Sequence, residues 1–193
     1  MSRAARELLH RHRLTVSDYQ RMGEAGILDQ NARVELIAGE IIDMAPIGSL
    51  HAGTVNRLIR MLERTVGDAA VLSVQNPIVL GPYSEPEPDV ALLKPRGDFY
   101  TAAHPVPDDV LLIIEVADTT VRYDREVKVP LYASTGIPEV WLIDLARKAV
   151  EVYRQPSEHG YREVLRPYLS EPLQCALLPQ VSLFPAGLWP KHA

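Results

Sequence analysis

The chain has one cysteine, Cys175, among its 193 residues, so an intrachain disulfide is excluded. A lone thiol fits a reducing, cytoplasmic setting, which is the location we expect. No apolar run approaches the roughly 20 residues that a bilayer span needs, so no membrane partner is expected. The longest run, residues 110–116, is a fraction of that length. The arginine-rich start at residues 1–13 has no apolar segment of the kind found in secretory signals. Excess positive charge is missing too, since the formal net charge is −5. That excludes a protein coating nucleic acid along its whole surface, though one basic groove is compatible with an acidic total. Neither a glycine-rich phosphate loop nor a Gly-x-Ser-x-Gly elbow occurs. Only 6% of residues are aromatic, which argues against a sugar cleft and hence against reading paired acids as a glycosidase.

What is present is an ordinary globular composition, 47% hydrophobic and 23% charged, so a buried core is expected. The length suits one domain over residues 15–193, with residues 1–14 a solvated tail or the start of a first helix. Thr15 precedes a short helix, residues 16–25, stopped by Gly26. Residues 33–37 and 40–44 read as strands joined by a tight turn at Ala38 and Gly39. From Ser49 the pattern becomes helical, with Val55, Leu58, Leu62 and Val66 on one face and Arg57, Arg60 and Arg64 largely opposite.

Residues 71–80 read as a strand interrupted near Asn76 and Pro77, and a strand at 89–93 follows a proline-rich approach. The apolar run 110–116 suits a central strand buried on both faces. A helix is predicted over 122–134, then a strand over 139–144, a hairpin at 148–169, and one last short strand with a packed turn in the tail. The central order is helix, three strands, helix, strand (αβββαβ). That implies an α/β (α+β) fold with a mixed sheet flanked by helices.

Two acids stand out. Asp89 follows Pro86 and Pro88 at the mouth of a strand, where an extended approach would fix the direction of its carboxylate. Glu115 lies near the end of the central apolar strand, where an acid must be paired, solvated at the sheet end, or bound to a cation. Strand alternation places it with Ile113 and Leu111, with Ile114 on the other side. On the following helix Asp124, Lys128 and Tyr132 recur at i, i+4 spacing and share a face. A surface Asp–Lys pair is the commonest fate of that spacing. If the face turns toward the sheet, Lys128 reaches the acids. His51, in the first turn of the long helix, has the better case as a supporting residue than as the main ligand of an oxygen-preferring ion. Trp141 reads as core, Cys175 as packing, and His104, His159 and His192 have no ligand spacing.

Pro88–Asp89, Ile114–Glu115–Val116, residues 124–128, Leu131–Tyr132–Ala133 and residues 136–144 together resemble the Uma-type restriction endonucleases, a bacterial family of the PD-(D/E)XK nuclease superfamily. Residues 34–41 and the Ser49–Leu50–His51 helix start look like that family as well. The resemblance covers roughly residues 15–184. It implies a restriction-endonuclease-like core in which Asp89 and Glu115 hold Mg²⁺ or Mn²⁺ and hydrolyse DNA phosphodiesters. It further implies supporting places for Glu35 and Gln75, and a homodimer if both strands are cut. The superfamily's lysine two residues after the acid is replaced by Ala117, and Lys128 matches the position from which a helix lysine substitutes. The alternative that Ala117 raises is a degenerate nucleic-acid-binding or protein-interaction module on the same fold.

Overall fold

The computed structural model describes residues 11–29 and 32–189, so the expectation for the first ten residues lies outside the described part. Helix α1 (Val16–Glu24) opens on a capping box in which the Asp18 amide donates to Thr15 Oγ1 at 3.1 Å and the Thr15 amide to Asp18 Oδ2 at 3.0 Å. Strands β1 (Val34–Ile37) and β2 (Glu40–Asp43) form the expected hairpin, closed by Ala38 and Gly39 at φ 52° and 83°. Two positive-φ residues give the turn whose twist matches the strands. A side chain at position 39 would also meet Arg13 Cβ at 2.7 Å, so glycine is needed there twice over.

Helix α2 (Ser49–Val66) lays Val55, Leu58, Leu62 and Val66 over one face of the main sheet, against Leu112, Ile114 and Val116. Each such side chain contributes about 1.5–3 kcal/mol when removed from water. The sheet has the order β3 (Val71–Val74), β4 (Val90–Leu93), β5 (Val110–Ala117), β6 (Glu139–Asp144), β7 (Ala149–Ser157) and β8 (Gly160–Leu165). All neighbours are antiparallel except β5 and β6, which pair in parallel and therefore need a helical crossover. That crossover carries Val129 and Tyr132 onto the second face, over Ile113, Ala117, Val140 and Leu142. With both faces covered, every residue of β5 is buried. Among the described residues no helix is long and apolar enough to cross a membrane.

The predicted order of helix, three strands, helix and strand is the order observed, and four local expectations are corrected. The strand expected over 71–80 stops at Val74, because Gln75 takes φ 50° and turns the chain. The crossover helix is not uniform. Between α3 (Val121–Tyr123) and α4 (Val129–Ser134) lies a π segment (Asp124–Lys128), in which the Val129 amide donates to the Asp124 carbonyl five residues back. Leu111 sits on the α2 side of the sheet rather than beside Glu115, because the β4–β5 register shifts between Leu92 and Leu93. The tail contains a pair of short strands, β9 (Leu173–Gln174) and β10 (Ser182–Leu183), where one was expected.

Candidate active site

The site forms where β4 begins, β5 ends and the N-terminal turn of α2 meets them. Asp89 immediately precedes β4, and the Val116 amide donates to its Oδ2 at 2.9 Å. Gln75 ties it from the other side: its backbone amide donates to the Asp89 carbonyl at 3.1 Å and its Nε2 to Asp89 Oδ1 at 3.3 Å. His51 Nε2 stands 3.0 Å from Oδ1 and 3.1 Å from Oδ2, astride the carboxylate. Burial works to raise the Asp89 pKa. The His51 hydrogen bond and charge and the Val116 N–H outweigh it and hold Asp89 below the usual carboxylate value.

Glu115 is buried, and both its oxygens are engaged. Oε1 accepts from Lys128 Nζ at 2.8 Å and from the Tyr132 hydroxyl at 2.6 Å, while Oε2 stands 3.5 Å from the Asp89 amide. Removal from water pushes the Glu115 pKa up to about 8, with Lys128 pulling the other way. For Lys128, burial favours the neutral amine, but Glu115, Tyr132, Glu35 and Asp124 raise its pKa well above the ordinary value, so it stays an ammonium. Its second carboxylate partner is Glu35, with Oε2 at 3.5 Å. Glu35 reaches the site because the segment before Asp89 pairs with the hairpin: the Glu85 amide donates to the Leu36 carbonyl at 2.7 Å, and the Glu87 amide to Glu35 Oε2 at 3.2 Å.

Every candidate site residue the sequence singled out is therefore at this site, in one of two positions. Asp89, Glu115, Lys128, Glu35, His51 and Asp124 line one cavity of about 730 Å³. Gln75 and Tyr132 stand behind it, holding Asp89 and Glu115 in place. The surface Asp–Lys pair that this spacing most often gives is not what forms. Both residues are buried, Lys128 pairs with Glu115 and Glu35, and Asp124 accepts from the Thr120 hydroxyl at 2.7 Å.

Sequence reasoning missed Tyr123, whose hydroxyl donates to Glu35 Oε1 at 3.1 Å, and the cavity residues Arg33 and Glu87. Tyr123 and Lys128, both on Glu35, are five residues apart, the spacing of one π turn. The position of the missing lysine, Ala117, is fully buried in the second-face core, and Lys128 delivers its amine to Glu115 from the helix instead.

A family model described as "Uma2: Putative restriction endonuclease" matches residues 16–186, nearly the whole chain. The chain belongs to the Uma2 family. A solved structure, titled as a putative nuclease belonging to DUF820 from Anabaena variabilis ATCC 29413, superposes with a TM-score of 0.69. The match covers 91% of this chain and 97% of that one at 15% identity, so it speaks for the fold. No curated protein matches.

The cavity offers mostly oxygen donors, and among the described residues its carboxylates Glu35, Asp89, Glu115 and Asp124 stand with one lysine, Lys128. That excess of buried negative charge suits a hard divalent cation. Among the described residues no three His, Cys, Asp or Glu side chains form a group that could hold a metal ion by themselves. A divalent ion held here would draw on at most two of these carboxylates and would complete its shell with water and phosphate oxygens.

Proposed function

We propose that this Uma2 chain is a nuclease that uses Mg²⁺ or Mn²⁺ to hydrolyse DNA phosphodiester bonds. Asp89 and Glu115 are its metal ligands and Lys128 its charge-stabilising group. The observation that carries the reading is the meeting, at one cavity, of Asp89 with a Glu115 whose Oε1 lies 2.8 Å from Lys128 Nζ. Membership of a family described as restriction endonucleases supports it.

When bound, the cation supplies Lewis acidity toward a phosphate oxygen and lowers the pKa of a water. The chain's own residues do the positioning. Val116 and Gln75 fix the direction of the Asp89 carboxylate, and Tyr132 pins Glu115. Lys128, held between Glu115 and Glu35, places a permanent positive charge where a phosphate would develop negative charge. Because these groups are fixed before substrate arrives, little reorganisation is needed during reaction.

Nicking of DNA in Mn²⁺ or Mg²⁺ tests this. Asp89→Ala and Glu115→Ala should each lower the rate by a factor on the order of 100 or more. Unchanged nicking by both variants would rule the mechanism out. A second reading, a binding module without catalysis, draws on Ala117 and on the exposed Arg57, Arg60 and Arg64 of α2. Salt-sensitive DNA binding with no affinity for Mn²⁺ would identify it.

A further inference from the structure

The cavity has two chemically different sides. One is the floor of carboxylates with Lys128. The other is apolar and comes from the end of β2 and the segment after it: Ile42, Met44, Pro46 and Ile47. Ile47 is 42% exposed, a large apolar side chain left open to solvent beside a charged floor. A phosphodiester has no use for such a wall, whereas the faces of a base and its sugar do. The volume, about 730 Å³, lies within the range of pockets that engulf a small ligand.

The reactive groups are also recessed. The side chains of Glu115 and Lys128 are 3% and 4% exposed, and that of Asp89 is 14%. Residues 44–48 approach the loop after β5 closely enough that a Cβ on Gly48 would stand 3.7 Å from an Asp118 carboxylate oxygen. Among the described residues, the more exposed carboxylates of the lining, Asp43, Glu87 and Asp118, are matched at the mouth by one arginine, Arg33. Arg33 already donates to the Ala45 carbonyl at 3.0 Å. A duplex laid across this mouth would bring several phosphates against carboxylates, where binding a polyanion calls for a row of cations.

We infer that substrate enters this cavity as an unpaired nucleotide (a strand end, a loop or a flap), with its base and sugar on the wall of Met44 and Ile47 and its phosphate on the floor. The inference rests on the nuclease reading and narrows its substrate to single-stranded DNA. An intact duplex must first unstack and unpair a nucleotide to fit, which a free strand does not. One unpaired strand needs one site, so this chemistry does not require the two-fold dimer expected for cutting both strands.

The test compares a short fluorescein-labelled DNA strand with the duplex of the same sequence, by anisotropy with the full chain in Ca²⁺. The single strand should bind at least about tenfold tighter than the duplex, a difference near 1.4 kcal/mol. Ile47→Asp, a change at a solvent-exposed position, should erase that preference by weakening the single strand about tenfold. Equal affinity for both forms, tighter duplex binding, no binding of either, or an Ile47→Asp variant that binds like the wild type would each overturn the inference. The nuclease reading is judged separately, by whether Asp89→Ala abolishes Mn²⁺-dependent cleavage of any DNA. Cleavage lost in that variant but equally fast on duplex and single strand would sink the inference and leave the reading standing.

Discussion

Replacing Lys128 with methionine removes an ammonium from a buried acidic cluster. Its Nζ lies 2.8 Å from Glu115 and 3.5 Å from Glu35, and the three side chains are 3–4% exposed. Methionine keeps much of the volume, so the loss is chiefly electrostatic. Breaking a buried pair by deleting one partner costs about 3–5 kcal/mol. At roughly 2–4 °C per kcal/mol for a chain of this length, the melting temperature should fall by about 6–20 °C.

The pH dependence has a definite sign. In metal-free protein the Glu115 pKa is raised by burial from 4.5 to about 8, so the folded state holds that proton more tightly than the unfolded state does. Its contribution is therefore fully present below the unfolded pKa and is lost as pH rises through 8. Lys128 is the largest influence pulling Glu115 down, so the variant's Glu115 should titrate higher still. The deficit of Lys128→Met against wild type should thus be smallest near pH 6, where both hold the proton, and should grow above pH 8. Urea denaturation in EDTA at the two pH values measures it. A variant within about 1 kcal/mol of wild type at both would refute the buried ion-pair account.

Glu115→Gln should flatten the fall in wild-type stability between pH 6 and 9 in EDTA, a change read by thermal melts; a slope equal to wild type would place the titration elsewhere. Tyr123→Phe deletes a hydrogen bond to the buried Glu35 carboxylate and should destabilise by about 1.5–3 kcal/mol in urea melts. Gln75→Gly relieves a positive φ worth about 1–2 kcal/mol but removes a donor to Asp89. Stability should therefore change little while the Mn²⁺ concentration for half-maximal nicking rises.

Much of this was legible from spacing. The hydrophobic face of α2, the turn at Ala38–Gly39 and the buried β5 each follow from local patterning, because burial on one or both faces dictates the period. Glu115 was legible for the converse reason, as a charge where the pattern called for an apolar residue, and Asp89 from its proline-fixed place at the mouth of a strand. The π segment was not. A single widened turn leaves the composition of a helix unchanged, and its only trace is that Tyr123 and Lys128 meet at Glu35 from five residues apart. Leu111 was misplaced because a register shift between Leu92 and Leu93 has no residue signature. Glu35 could be assigned only through family resemblance, since the pairing of Leu36 with Glu85 that carries it to the site is long-range.

Calorimetric titration of Mn²⁺ into wild type and Asp89→Asn, a near-isosteric change, bears most directly on the claim that residues 89 and 115 share one cation. Saturable binding by wild type, weakened at least about tenfold in the variant, is the outcome our account requires. Equal binding by the two proteins would contradict it.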